Sequence, residues 1–193
     1  MRIIAGRFRG RPIVAPEGMT TRPTTDRARE AIFNILGPLD GENVVDCFAG
    51  TGALGIESLS RGARHATFVE TDRNALRAIQ KNLEKLGVTA QATVLDVPVE
   101  KARARLERLA PFDVVLADPP WKIAQDAAER VSKVIRGLLA PGARVLLGHP
   151  TAAPIALGPE SGLTLVDRRK WGGSGMSFFE ETGEPKDSER LEA

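Results

Sequence analysis

The chain has 193 residues, 42% of them apolar and 27% charged, with a net charge of +2; this is the composition of one well-cored globular domain with room for a small appendage. No apolar run approaches the roughly 18 residues of a bilayer span and the N-terminus lacks an apolar leader core, so a cytoplasmic protein is expected. A single cysteine, Cys47, excludes an intrachain disulfide, and with only His65 and His149 beside it a zinc mechanism is not expected.

Charge is unevenly spread. Residues 1–30 hold seven arginines (Arg2, Arg7, Arg9, Arg11, Arg22, Arg27 and Arg29) against Glu17, Asp26 and Glu30. Planar guanidinium groups fork onto phosphate oxygens, so this segment suits a polyanion such as RNA. Residues 180–193 oppose it with six acids against Lys186 and Arg190, and from residue 182 they read as a flexible acidic tail.

In chain order, residues 2–6 and 11–14 flank a turn near Phe8-Arg9-Gly10 and predict a short β-hairpin, too small to fold alone. Thr24 or Thr25 then caps a helix whose apolar positions are Ala28, Ala31, Ile32, Ile35 and Leu36, ended by Gly37-Pro38. Strands over 44–48, 67–70, 92–96, 112–117 and 144–148 alternate with helices over 54–61, 74–86, 99–109 and 124–139. Such repetition implies a doubly wound α/β fold, a parallel sheet covered on both faces. Two further strands, 163–168 and 176–179, meet at the Gly172-Gly173-Ser174-Gly175 turn with no helix between them, which predicts a terminal antiparallel hairpin.

Gly50-Thr51-Gly52-Ala53-Leu54-Gly55 fits G-x-G-x-x-G between a strand and a helix, and Glu70 closes the next strand, placed to accept the hydroxyls of a ribose. A dinucleotide would set an anionic pyrophosphate near Asp46, four residues before Gly50, whereas S-adenosyl-L-methionine brings an ammonium and a sulfonium there. The acid favours the methyl donor over a nicotinamide cofactor. Asp96 ends the third strand, where it can accept an adenine amine beside the Val97 amide, or cap the helix that follows.

Asp118-Pro119-Pro120-Trp121 follows an apolar strand at the carboxyl end of the sheet, where open α/β folds place ligands. Two prolines fix two φ angles and supply no backbone donors, leaving the Asp118 side chain and the Pro119 carbonyl as a pair of acceptors. Acceptors that bind both hydrogens of a base's exocyclic amine favour the pyramidal, reactive nitrogen, a gain largest in the transition state. Trp121 would stack on the base. Cys47, His65 and His149 read as core or strand-edge residues rather than catalytic ones.

Together with Arg2-Ile3-Ile4-Ala5-Gly6, Arg9-Gly10-Arg11, Arg22-Pro23-Thr24-Thr25-Asp26-Arg27 and Asp46-Cys47-Phe48-Ala49-Gly50-Thr51-Gly52, these motifs resemble the RsmD family of bacterial 16S ribosomal RNA guanine-N2 methyltransferases over residues 2–181. The resemblance implies a monomer with a Rossmann-like class I methyltransferase fold in three parts: a basic RNA-contacting hairpin extension over 1–21, a methyltransferase domain over 22–181 and the tail over 182–193. It implies a donor pocket from Thr24, Thr25, Asp46, Phe48, Ala49, Gly50, Thr51, Gly52, Glu70, Thr71, Asp96, Val97 and Asp118. Catalysis falls to Asp118, Pro119, Pro120 and Trp121, and RNA contact to Arg7, Arg9, Arg11, Arg22 and Arg27. The substrate implied is guanine N2 of 16S ribosomal RNA within a small-subunit particle. An adenine-N6 DNA methyltransferase shares the tetrapeptide chemistry, and a noncatalytic RNA-binding ribosome-assembly factor could keep the donor pocket.

Overall fold

The computed structural model describes residues 1–16 and 25–181. Arg22, Thr24 and the 182–193 tail lie outside the described residues. Five parallel strands, β1 (Asn43–Cys47), β2 (His65–Glu70), β3 (Ala92–Asp96), β4 (Phe112–Ala117) and β5 (Leu139–Pro150), are followed by β6 (Leu163–Trp171) and β7 (Ser174–Glu181). The sheet order is β3-β2-β1-β4-β5-β7-β6, with β7 antiparallel to both of its neighbours. The order reverses between β1 and β4, which opens the ligand crevice of a doubly wound sheet at their carboxyl ends.

Helices α1 (Asp26–Leu36), α2 (Ala53–Ser60), α3 (Arg73–Leu86), α4 (Arg103–Leu106) and α5 (Ala124–Ile135) cover the sheet. All five residues of β1 are buried, which explains its unbroken apolar character apart from Asn43 and Asp46. One core joins Phe33, Leu59, Phe68, Ile79 and Leu146; the other joins Val45, Leu106, Val115, Val131 and Phe179.

Three sequence expectations change. The 99–109 helix breaks into a 3-10 turn (Val99–Lys101) and the four-residue α4, in which Val99, Ala102 and Leu106 are buried in the core and Leu109 packs against it beyond the helix end. Helix α5 ends at Ile135, short of residue 139, and Arg103, which also pairs with Glu107 at 2.7 Å, donates to the Val134 carbonyl at 3.0 Å and to the Arg136 carbonyl at 2.6 Å beyond that end. On α1 the buried face is Ala28, Arg29, Ile32, Phe33 and Leu36; Ile35 is exposed, since the larger Phe33 takes the inner side. Arg29 is therefore no phosphate ligand. Its guanidinium is fully buried, bonded to Asp26 at 2.9 Å and to the Arg2 carbonyl, and burial lowers its pKa.

The N-terminal hairpin is reduced to one antiparallel bridge, Arg2 with Pro12, flanked by Ile3 N–H to the Arg11 carbonyl at 3.0 Å and Ile13 N–H to the Met1 carbonyl at 3.0 Å. Its remaining backbone groups turn inward. Glu57 of α2, fully buried, accepts the Ile4 amide at 2.8 Å and the Ala5 amide at 3.0 Å, and is paired with Arg61 at 2.8 Å. The Arg7 amide bonds the Ser60 carbonyl at 2.8 Å. Asn82 of α3, also buried, exchanges two bonds with the Val14 backbone, at 2.8 and 3.0 Å, and donates to the Thr51 carbonyl at 3.4 Å.

Candidate active site

Parallel register brings the ends of neighbouring strands into one row: Cys47 pairs with Ala117 and Val69, Glu70 with Asp96, and Ala117 with Leu147. The residues that follow each strand therefore emerge side by side. After β1 the chain turns sharply, with Phe48 at φ 61° and Gly50 at φ 54°, and Gly52 at φ 74° starts α2. These left-handed conformations suit glycine, and only the Phe48 carbonyl, at 4.0 Å, approaches the side-chain position of Gly50, so that side of the loop is open. Gly55, by contrast, closes packing: a Cβ there would lie 2.4 Å from the Phe68 ring.

Three carboxylates converge on this loop. Glu70 accepts the Gly50 amide at 2.7 Å through one oxygen, and the Thr71 and Asp72 amides at 2.7 and 2.9 Å through the other. Asp46, 1% exposed, accepts the Gly55 amide at 2.9 Å in the first turn of α2. Burial pushes its carboxyl up to about 8, opposed by the Gly55 bond and reinforced by the negative charges of Asp118 and Glu70. Asp96 is exposed, and the 3-10 turn after it begins beyond Pro98 without a side-chain cap, so its capping role is not what the structure shows.

Asp118 and Pro119 leave β4 beside Gly148 of β5. A Cβ on Gly148 would sit 2.2 Å from Asp118 Oδ1, so the carboxylate lies in the space that glycine vacates. Ile123 N–H takes the Pro120 carbonyl at 3.0 Å to open a 3-10 turn, and among the described residues no backbone amide takes the Pro119 carbonyl.

Trp121 is 47% exposed, and its ring edge lies 3.3 Å from the side-chain position of Gly173. This neighbour was not identified from sequence. The Gly172–Gly173 turn is held there by Thr151, whose amide donates to the Gly173 carbonyl at 2.8 Å and whose hydroxyl donates to the Gly172 carbonyl at 3.0 Å. The paired glycines were the available signal, since a turn without side chains is what a flat ring can approach.

Thr25 caps α1 by accepting the Ala28 amide at 3.2 Å, which selects it over Thr24 for that role. Arg7, Arg9, Arg11 and Arg27 are exposed, and the Arg7 and Arg11 guanidinium groups lie 4.5 and 5.4 Å from the Phe8 ring centre. Cys47 is buried and its thiol pKa is raised by burial. His149 is buried too, with Nδ1 on the Pro150 carbonyl at 3.0 Å, leaving Nε2 to accept from Ser177 at 3.0 Å. Both serve the core. A recess of about 410 Å³ at the far end of the sheet is lined by Gly6, Arg7, Asp40, Ser60 and Arg64; of the residues expected at the site it includes only Arg7.

Ribosomal RNA small subunit methyltransferase D of Escherichia coli K12 is 42% identical over 123 residues, 63% of this chain and 61% of that protein, so the aligned stretch spans less than two thirds of the relative. The solved structure of Escherichia coli yhhF is similar at TM-score 0.79 and 32% identity, covering 94% of this chain and 97% of that one. Thermus thermophilus RsmC, a 16S rRNA N2 G1207 methyltransferase solved with AdoMet and guanosine, is similar at TM-score 0.65 and 25% identity, covering 86% of this chain and 44% of that one. Residues 1–180 match the family model described as Conserved hypothetical protein 95, and the chain belongs to that family, the RsmD family.

Proposed function

We infer that this chain transfers a methyl group from S-adenosyl-L-methionine to the exocyclic N2 amine of a guanine in 16S ribosomal RNA. The observation that carries the reading is the Asp118 carboxylate, set over Gly148 and near enough to Asp46, beside the glycine loop, for their charges to interact. The name of the E. coli relative supports small-subunit ribosomal RNA as the substrate, and that of RsmC a guanine N2 within 16S rRNA. A particle containing the small-subunit RNA, a monomeric enzyme and a cytoplasmic setting complete the reading; among the described residues no helix is long and apolar enough to cross a membrane.

The residues fit the donor. Asp46, Glu70 and Asp118 are close enough for their charges to interact, and such a rim attracts an ammonium and a sulfonium while repelling a pyrophosphate. Thr24, Thr25, Asp46, Phe48, Ala49, Gly50, Thr51, Gly52, Glu70, Thr71, Asp96, Val97 and Asp118 would hold it. When bound, it supplies an electrophilic methyl group.

The chain's own residues do the rest. Asp118 and the Pro119 carbonyl accept the two amine hydrogens and turn the nitrogen lone pair out of the base plane. Trp121, braced on the Gly172–Gly173 turn, stacks on the base and fixes the line of approach. Pro119 and Pro120 keep the backbone stiff. The proton released from nitrogen passes to Asp118 or to water, so no histidine is needed. A paired base cannot enter such a site, and the target guanine must be in a loop or flipped out.

The test is label transfer from S-adenosyl-L-[methyl-³H]methionine to 16S rRNA, small-subunit particles and duplex DNA. Label in N2-methylguanine with wild type, and at least about 100-fold less with Asp118→Ala, is expected. Label only in adenine N6 of DNA, or in neither nucleic acid, overturns the proposal.

A further inference from the structure

The outer face of α3 carries Arg73, Arg77, Lys81 and Lys85, a cation every fourth residue, all exposed. That spacing sets them in one ridge about 18 Å long. The arrangement is unfavourable for the isolated helix. Like charges four apart repel, and Arg73 stands in the first turn, where the helix dipole disfavours a cation.

Within the described residues no ion pair relieves this repulsion, and Arg77 bonds the neutral side chain of Asn74. None of the four forms an ion pair among them. The single acid of α3, Glu84, receives the Gln80 amide at 2.9 Å, and Asp72 is spent capping the helix through the Asn74 and Ala75 amides. No large apolar side chain is exposed along the ridge. A protein partner would need such an anchor, whereas a sugar-phosphate chain needs only evenly spaced cations and polar neighbours.

The ridge also lies where a substrate strand would pass. Its first turn follows Glu70 and Asp72 at the donor end of the crevice. Toward its other end Gln91 accepts a bond from Arg7, and the buried Asn82, on the inner face of the same helix, holds Val14. The helix thus joins the crevice to the basic N-terminal extension.

We propose that Arg77, Lys81 and Lys85, with Arg73 at the crevice end, form an RNA-backbone-binding surface that seats the strand carrying the reactive base. This rests on the RNA-methylation reading above. The test measures 16S rRNA binding as a function of salt for wild type, for Arg77→Gln/Lys81→Gln/Lys85→Gln, and for Arg105→Gln/Arg108→Gln/Lys133→Gln. The second triple variant removes exposed cations from elements that pack on the opposite face of the sheet.

At about 0.7 to 0.9 per phosphate contact, the ridge variant should lower the slope of log K against log salt by about 2 to 3. The control should keep the wild-type slope. Binding of S-adenosylhomocysteine and kcat at saturating RNA should stay within about twofold of wild type, while KM for RNA rises at least about tenfold at moderate salt. An unchanged slope in the ridge variant, or an equal loss in the control, overturns the proposal. Failure of the methylation reading would show separately, as wild-type protein that binds RNA without labelling it.

Discussion

The carboxylate of Asp118 rests on the bare backbone of Gly148: a side chain begun at that glycine would place its first carbon 2.2 Å from Oδ1. Gly148→Ala should therefore displace the acceptor without touching the donor loop. Displacement of about 1 Å can cost about 100-fold in rate, and that loss in kcat is expected from single-turnover methylation. Calorimetry should find S-adenosylhomocysteine bound within a few fold of wild type; full activity in Gly148→Ala would remove Asp118 from the mechanism.

Trp121 should separate stacking from folding. About half its surface is open, so its loss costs little stability. Trp121→Ala should lower kcat/KM for RNA about 10- to 100-fold, matching about 1 to 3 kcal/mol for a stacked base. Trp121→Phe should recover most of it. Equal activity of all three proteins in initial-rate assays would contradict a stacking role.

Asp46 gives a pH signature. Its folded pKa of about 8 lies above its ordinary value of 3.8. The unfolded chain therefore releases this proton first as pH rises, and the donor-free fold loses stability progressively between those two values, then no further. Asp46→Asn should be the more stable protein in urea melts without donor, by a margin absent below about pH 4 and growing toward pH 8. Donor affinity should move the other way in wild type. It should rise from pH 6 to 8 as the acid ionises opposite the cationic ligand, and this rise should vanish in Asp46→Asn.

Gly6 tests how firmly the extension is docked. It has φ 79°, and a Cβ there would fall 1.8 Å from the Ser60 carbonyl oxygen. Gly6→Ala should destabilise the protein by more than the roughly 1 kcal/mol of a left-handed L-residue, because backbone must move as well. Chemical denaturation measures this directly, and a wild-type midpoint would show that the extension packs elsewhere.

Much of this was legible from sequence because the signals were local. β3 and β4 have the predicted bounds, since each is a short run of apolar and β-branched residues between turns. The glycine loop and the Asp118 tetrapeptide fall where the strand ends place them. What escaped was contact between distant segments. Trp121 meets Gly173 across 52 positions, and no periodicity reports that. Arg29 looked like its six neighbouring arginines, yet Asp26 and the Arg2 carbonyl draw it inside. The 99–109 stretch has helical composition, but Arg103 is worth more to the open end of α5 than to its own helix.

Glu57 ties the first few residues to the same helix that starts at the donor loop. Any pull on the basic arm is thereby delivered to the helix that begins at the glycine loop. Clipping Met1 to Ala5 would not trim a margin; it would take away two of the three donors of a buried carboxylate and leave Arg61 alone to hold it.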